Sequence, residues 1–138
     1  MPYAPAESVI RNWLAAYLGS GYRVVTELPA DLATVCATTP VAQVTRFGCS
    51  DDLLVLDAAN VDVDTFGLTR SAARDFGEKC RAGLRFKAPG AVQDGAFIAT
   101  VSTINAPRWV PYDNTNLRRF VASYRITIRS VPSEGVPA

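Results

Sequence analysis

Residues 119–131 alternate in polarity: Phe120, Ala122, Tyr124, Ile126 and Ile128 fall on one parity, and Arg119, Ser123, Arg125, Thr127 and Arg129 on the other. Side chains of a strand point alternately to its two faces, so this segment predicts one dry face and one wet, cationic face. At about 3.3 Å per residue it could span roughly 40 Å, long for a small domain, and other strands must pair along it. A helix is expected to cover its apolar side, with Tyr124, Ile126 and Ile128 against it.

The remaining elements follow from the same kind of pattern. Pro5 suits a helix start and Glu7 the positive end of that helix; Val9, Ile10, Trp13, Leu14, Tyr17 and Leu18 then recur at helical spacing. Trp13 and Tyr17 are read as core. Gly19-Ser20-Gly21 ends the helix. Residues 22–27 read as a strand, 30–40 as a loop and 41–47 as a second strand. A turn at 48–52, a short strand at 53–57, a bend at 58–60 and a strand at 61–66 follow. Thr69 or Ser71 can cap a second helix reaching about Leu84, whose buried stripe is Ala72, Ala73, Phe76, Cys80, Gly83 and Leu84. Arg74 with Glu78 and Asp75 with Lys79 are spaced as i,i+4 ion pairs on its outer side. Residues 97–104 make a strand, 105–117 a loop, and 132–138 a loose tail. The order α-β-β-β-β-α-β-β predicts a single α+β domain over 1–131: a mixed or largely antiparallel sheet packed by two helices, its last two strands an antiparallel pair.

Composition narrows the function more than the fold. The 138 residues are 49% hydrophobic and 20% charged, ordinary for a globular domain, and no apolar run is long enough to cross a bilayer. The first residues lack the basic and apolar regions of a secretory signal, and Cys36, Cys49 and Cys80 read as reduced thiols of a cytosolic protein. No histidine occurs, which excludes Ser-His-Asp and Cys-His catalysis and His-based metal sites. No glycine loop follows a strand to cradle phosphate. No cofactor is expected.

Charge is nearly balanced overall but not along the chain. Residues 1–68 hold three cations against eight acids, a balance of −5, and residues 69–138 hold eleven against five, a balance of +6. Such a polar subunit suits association with copies of itself. Asp51, Asp52, Asp62 and Asp64 on one side, and Arg70, Arg74, Arg81 and Arg85 on the other, are the candidates to meet across a head-to-tail contact that salt would weaken. Asp62 and Asp64 share a strand face and with Glu78 could hold Mg²⁺ for nucleic-acid chemistry, although solvent-side residues of a half-buried strand are the plainer reading. Arg119, Arg125 and Arg129 could track phosphates, or form a solvated face or a subunit contact. The segment 105–117 places Arg108, Trp109, Tyr112, Asp113 and Asn114 beside two prolines. Aromatics in a stiffened loop suit an interface, and packing of Trp109 and Tyr112 onto the core edge is the equal alternative.

The run Pro107-Arg-Trp-Val-Pro-Tyr-Asp-Asn-Thr-Asn-Leu-Arg-Arg-Phe-Val-Ala-Ser-Tyr resembles a stretch in tail terminator proteins of long-tailed phages infecting actinobacteria. Three earlier segments fit in order: Val24-Val-Thr-Glu-Leu-Pro-Ala-Asp-Leu, Pro40-Val-Ala-Gln-Val-Thr-Arg-Phe-Gly, and Leu56-Asp with Val61-Asp-Val-Asp. The resemblance covers most of 8–131. It implies a small α+β subunit that forms a ring, usually a hexamer, on the head-proximal end of the tail tube. The ring ends tube growth and meets the head-completion protein, and genomic DNA passes through its centre without sequence-specific binding. Such a protein would be assembled in the host cytoplasm, reside in the virion and carry no catalytic residues. Another neck component, a stopper or adaptor, is the structural alternative, and the Mg²⁺-dependent enzyme the alternative of a different class.

Overall fold

The computed structural model describes residues 6–50, 57–114 and 116–130. Helix α1 (Ala6–Leu18) leads to β1 (Arg23–Val25), α2 (Leu32–Cys36), β2 (Val41–Ser50), β3 (Asp57–Gly67), α3 (Arg70–Phe86), β4 (Val92–Gln93), β5 (Ala96–Trp109) and β6 (Arg118–Ser130). One six-stranded sheet has the order β1-β2-β3-β6-β5-β4. Among the described residues β1 with β2 is the one parallel pair. The fold is therefore α+β with a mixed sheet, as the pattern predicts. Residues 51–56, which hold all of the expected short strand 53–57 except Asp57, the initial Pro5 and the tail 132–138 lie outside the described residues.

The alternating C-terminal strand is central, paired antiparallel with β3 on one side and β5 on the other. Tyr124, Ile126 and Ile128 are buried in one cluster with Val9, Ile10 and Leu14 of α1 and Phe76, Cys80 and Leu84 of α3. Both long helices thus lie on the same side of the sheet. Thr69 caps α3, its hydroxyl accepting from the Ala72 N–H at 3.1 Å. The stripe differs from expectation at one place: Ala72 is exposed and Gly77 is buried instead. At the end of α1, Gly19 takes φ +86 and its N–H donates to Ala15 at 3.0 Å, the left-handed stop the sequence calls for.

Three differences from the expected order have identifiable causes. The segment 30–40 contains α2, whose single turn buries Leu32 and Cys36. Five residues cannot display a helical period. Residues 48–50 of the expected turn and the expected bend at 58–60 are instead paired strand: Gly48 pairs with Asn60, Cys49 with Ala59 and Ser50 with Ala58. A register shift between Arg46 and Gly48 breaks the alternation there and reads in sequence as an ending. Strand β5 runs to Trp109 rather than Ile104. Register shifts between Ile98 and Thr100, Thr103 and Asn105, and Asn105 and Arg108 repeatedly reset its parity.

The second face of the sheet is only partly covered. Leu32, Cys36, Val41, Phe66 and Leu117 form a second buried cluster, joined by Val25, Leu28 and Tyr112, over the end of the sheet nearest α2. Val121 and Ser123 are also buried on this face, so β6 is wet only in its second half.

Candidate functional site

The segment 105–117 proves to be half strand. Arg108 pairs with Val121 and Trp109 with Phe120, and the Val110 N–H donates to Arg119 at 3.0 Å. Alternation then sends its two aromatics to opposite sides. Trp109 shares the helix side with Phe120. Its indole lies 4.3 Å from the Arg70 guanidinium, a cation–π contact, and remains 43% exposed. Tyr112 falls on the other side, edge-on to Phe66 with ring centroids 5.1 Å apart and the Arg119 guanidinium 5.2 Å from its ring. Tyr112 therefore packs against the second core cluster, and of the two aromatics Trp109 is the more exposed. Asn114 closes the turn locally, its side chain accepting from the Asn116 N–H at 2.9 Å and its carbonyl from the Leu117 N–H at 3.0 Å. Asp113 is exposed beside it. Trp109, Pro111, Tyr112, Leu117 and Arg118 line a groove of about 280 Å³ at this end of the sheet.

Asp62 and Asp64 are on the second face, and both have partners within the subunit. The Ser123 hydroxyl donates to Asp62 at 2.6 Å, and Asp64 lies 3.9 Å from Arg119. Burial pushes the Asp64 carboxyl up to about 6; Arg119 and Arg108 oppose this and the neighbouring Asp62 adds to it. Glu78 is exposed on α3, which packs against the other face of the sheet. The sheet thus separates Glu78 from Asp62 and Asp64. Among the described residues no group of three or more His, Cys, Asp or Glu side chains could hold a metal. Asp51 and Asp52 lie outside the described residues.

The cations of α3 are arranged differently from the expected i,i+4 ladder. Arg74 pairs with Asp75 at 3.4 Å, and Arg81 with Glu78 at 3.7 Å, three residues back. Lys79 lies over the Tyr22 ring at 4.9 Å and donates to its hydroxyl at 3.3 Å. Arg85 donates to the Thr103 hydroxyl at 3.4 Å and flanks Phe86. These are exposed pairs of small energy, whose use is to hold the long side chains outward. Cys80 is fully buried and burial pushes its thiol up to about 12, a packing role.

Sequence reasoning missed the exposed apolar residues. Phe86 is 75% exposed, and Leu68 and Ile104 are each about half exposed. Phe86 ends α3 outside the buried stripe, which is the signal that could have found it. Ile104 is hidden from pattern reading because it sits at a register shift of β5.

No protein-family model matches this sequence, and comparison with curated proteins yields no match. Among solved structures the fold is similar to a chain in the virion of a native gene transfer agent particle, with a TM-score of 0.60 and 12% identity. The alignment covers 91% of this chain and 95% of that one, so the two share the architecture from end to end.

Proposed function

We propose that this chain is a structural subunit of a phage-like virion, and more finely the tail terminator. It would be a ring, most simply a homohexamer, that covers the head-proximal end of the tail tube and forms part of the head–tail junction. The observation that carries the reading is the end-to-end fold likeness to a virion chain. The terminator assignment within the virion rests on the ordered sequence segments at 24–32, 40–48, 56–64 and 107–124. Exposed Trp109, Leu68 and Phe86 supply apolar anchors of the kind an assembly contact needs. Its partners would be further copies of itself, the tail tube protein and the head-completion protein, with genomic DNA in the lumen. Asp62 and Asp64 are engaged within the subunit, so charge pairing across the ring contact would fall to other acids.

Deletion of the protein from its particle, followed by electron microscopy, tests the reading. Overgrown tubes and unjoined heads are expected. Tails of normal length joined to heads would sink the terminator assignment. Tubes of normal length on unjoined heads would favour the stopper or adaptor. The metal trio of the enzyme alternative is not assembled, because Glu78 lies across the sheet from Asp62 and Asp64.

A further inference from the structure

We infer that the uncovered part of the sheet's second face, across β5 and β6, binds the phosphate backbone of duplex DNA. This face carries Arg129, Thr127 and Arg125 along β6, paired with Phe97, Thr100 and Ser102 of β5, then Asn105 and Arg108 further along β5. All are exposed or half-exposed, and the two long helices lie on the opposite side. The second core cluster covers this face toward β1 and β2 and, through Leu117 and Tyr112, beside the start of β6, leaving the later part of β6 exposed. Neither β5 nor β6 contributes an acid to the patch, and of the described β3 acids on this face, Asp62 accepts from Ser123 and Asp64 lies beside Arg119.

Three features favour a phosphate backbone over the other anionic partners. Arg129 and Arg125 are four residues apart, as are Arg125 and Val121, beside which Arg108 sits. The arginines therefore follow one another at about 13 Å intervals over about 26 Å. At roughly 3.4 Å of axis per phosphate on each strand, that length spans about seven to eight phosphates of one DNA strand. Between the arginines stand Thr, Ser and Asn side chains, the other common donors to phosphate oxygens. The patch also lacks what competing partners require. An acidic protein would need apolar anchors, and a single strand would need free aromatic faces for its bases. The apolar area here is small: Phe97, with the Arg129 guanidinium 4.7 Å from its ring, and the exposed Val92 beside it on β4. The Thr100 and Thr127 hydroxyls are hydrogen-bonded across the strands, which keeps this part of the face flat and polar. The choice of DNA as the natural duplex rests on the virion reading above; the phosphate-binding face does not.

The test is fluorescence anisotropy of a labelled 30-base-pair DNA duplex of arbitrary sequence with the full chain, from 50 to 200 mM NaCl. Three arginine–phosphate contacts predict a slope of log K against log salt of about −2.7 per subunit, roughly a fortyfold loss over that range. Arg125→Gln with Arg129→Gln should reduce the slope by about 1.8 and weaken binding at low salt at least tenfold. Arg74→Gln with Arg81→Gln on α3 should change neither, and circular dichroism should be unaltered in all. An unchanged slope in the β6 variants, an equal loss in the α3 variants, or tighter binding to polyglutamate, single strands or duplex RNA would overturn the inference. Native mass measured on the same samples separates the two readings. A ring that binds no duplex removes this inference alone, whereas a monomer that binds it through Arg125 and Arg129 removes the ring alone.

Discussion

The ring of Tyr17 occupies the space in which residue 83 would carry a side chain. A Cβ built on Gly83 would lie 2.4 Å from the nearest ring carbon, and the ring is stacked on Trp13 with centroids 5.2 Å apart. Helices α1 and α3 approach closely because that position is glycine. In an unpacked helix, alanine would be favoured over glycine by about 1 kcal/mol. Here Gly83→Ala should destabilise by about 1–3 kcal/mol, since the ring must leave its stack to admit the methyl. Adding Tyr17→Ala should remove most of the penalty of Gly83→Ala. Additive effects in a denaturation double-mutant cycle would show that the two residues do not compete for this space.

Truncation at the centre of the sheet should be costly. Ile126 is fully buried between β3 and β5 beneath the helices, so Ile126→Ala should cost about 2–5 kcal/mol through lost burial and the cavity left behind. A melting temperature within a degree or two of the parent protein would contradict this.

Asp64 should make stability depend on pH. Its carboxyl moves from 3.8 to about 6 on folding, chiefly through burial, with Arg119 opposing the shift and Asp62 reinforcing it. Between these values the folded chain binds more protons than the unfolded one. Stability from this group is therefore full below about pH 4, declines as pH rises towards 6 and is flat above. The loss is on the order of 1–3 kcal/mol, given that the side chain is 17% exposed. Asp64→Asn should abolish that part of the slope. Parallel curves of unfolding free energy against pH for the two proteins would exclude Asp64 as its source.

Trp109 and Tyr112 should behave oppositely. Tyr112 packs on Phe66 in the second core, so Tyr112→Ala should destabilise the fold and lower the melting temperature; an aromatic truncation costs about 3–5 kcal/mol at full burial and less here. Trp109→Ala should remain folded and lose association, where an aromatic anchor typically contributes 2 kcal/mol or more, roughly thirtyfold in affinity. Paired thermal melts and sedimentation measurements distinguish the outcomes. Normal assembly by a folded Trp109→Ala protein would remove Trp109 from the contact.

What could be read without coordinates was whatever repeats within one element. The alternation of 119–129, the apolar stripes of α1 and α3, the Thr69 cap and the Gly19 stop are local, because periodicity and capping act over a few residues. The antiparallel pairing of the last two strands also needed only their adjacency in the chain. Register was not local. Bulges in β2 and β5 cancel the alternation that marks a strand, and partner strands chosen by the fold hold those segments extended all the same. The candidate sites divided in the same way. Residue type and spacing placed Asp62 and Asp64 on one face. That Glu78 lies across the sheet from them, and that Trp109 and Tyr112 part to opposite sides, followed only when α3 and β5 docked. Spacing along the chain determines which side chains share an element; packing determines which elements share a face.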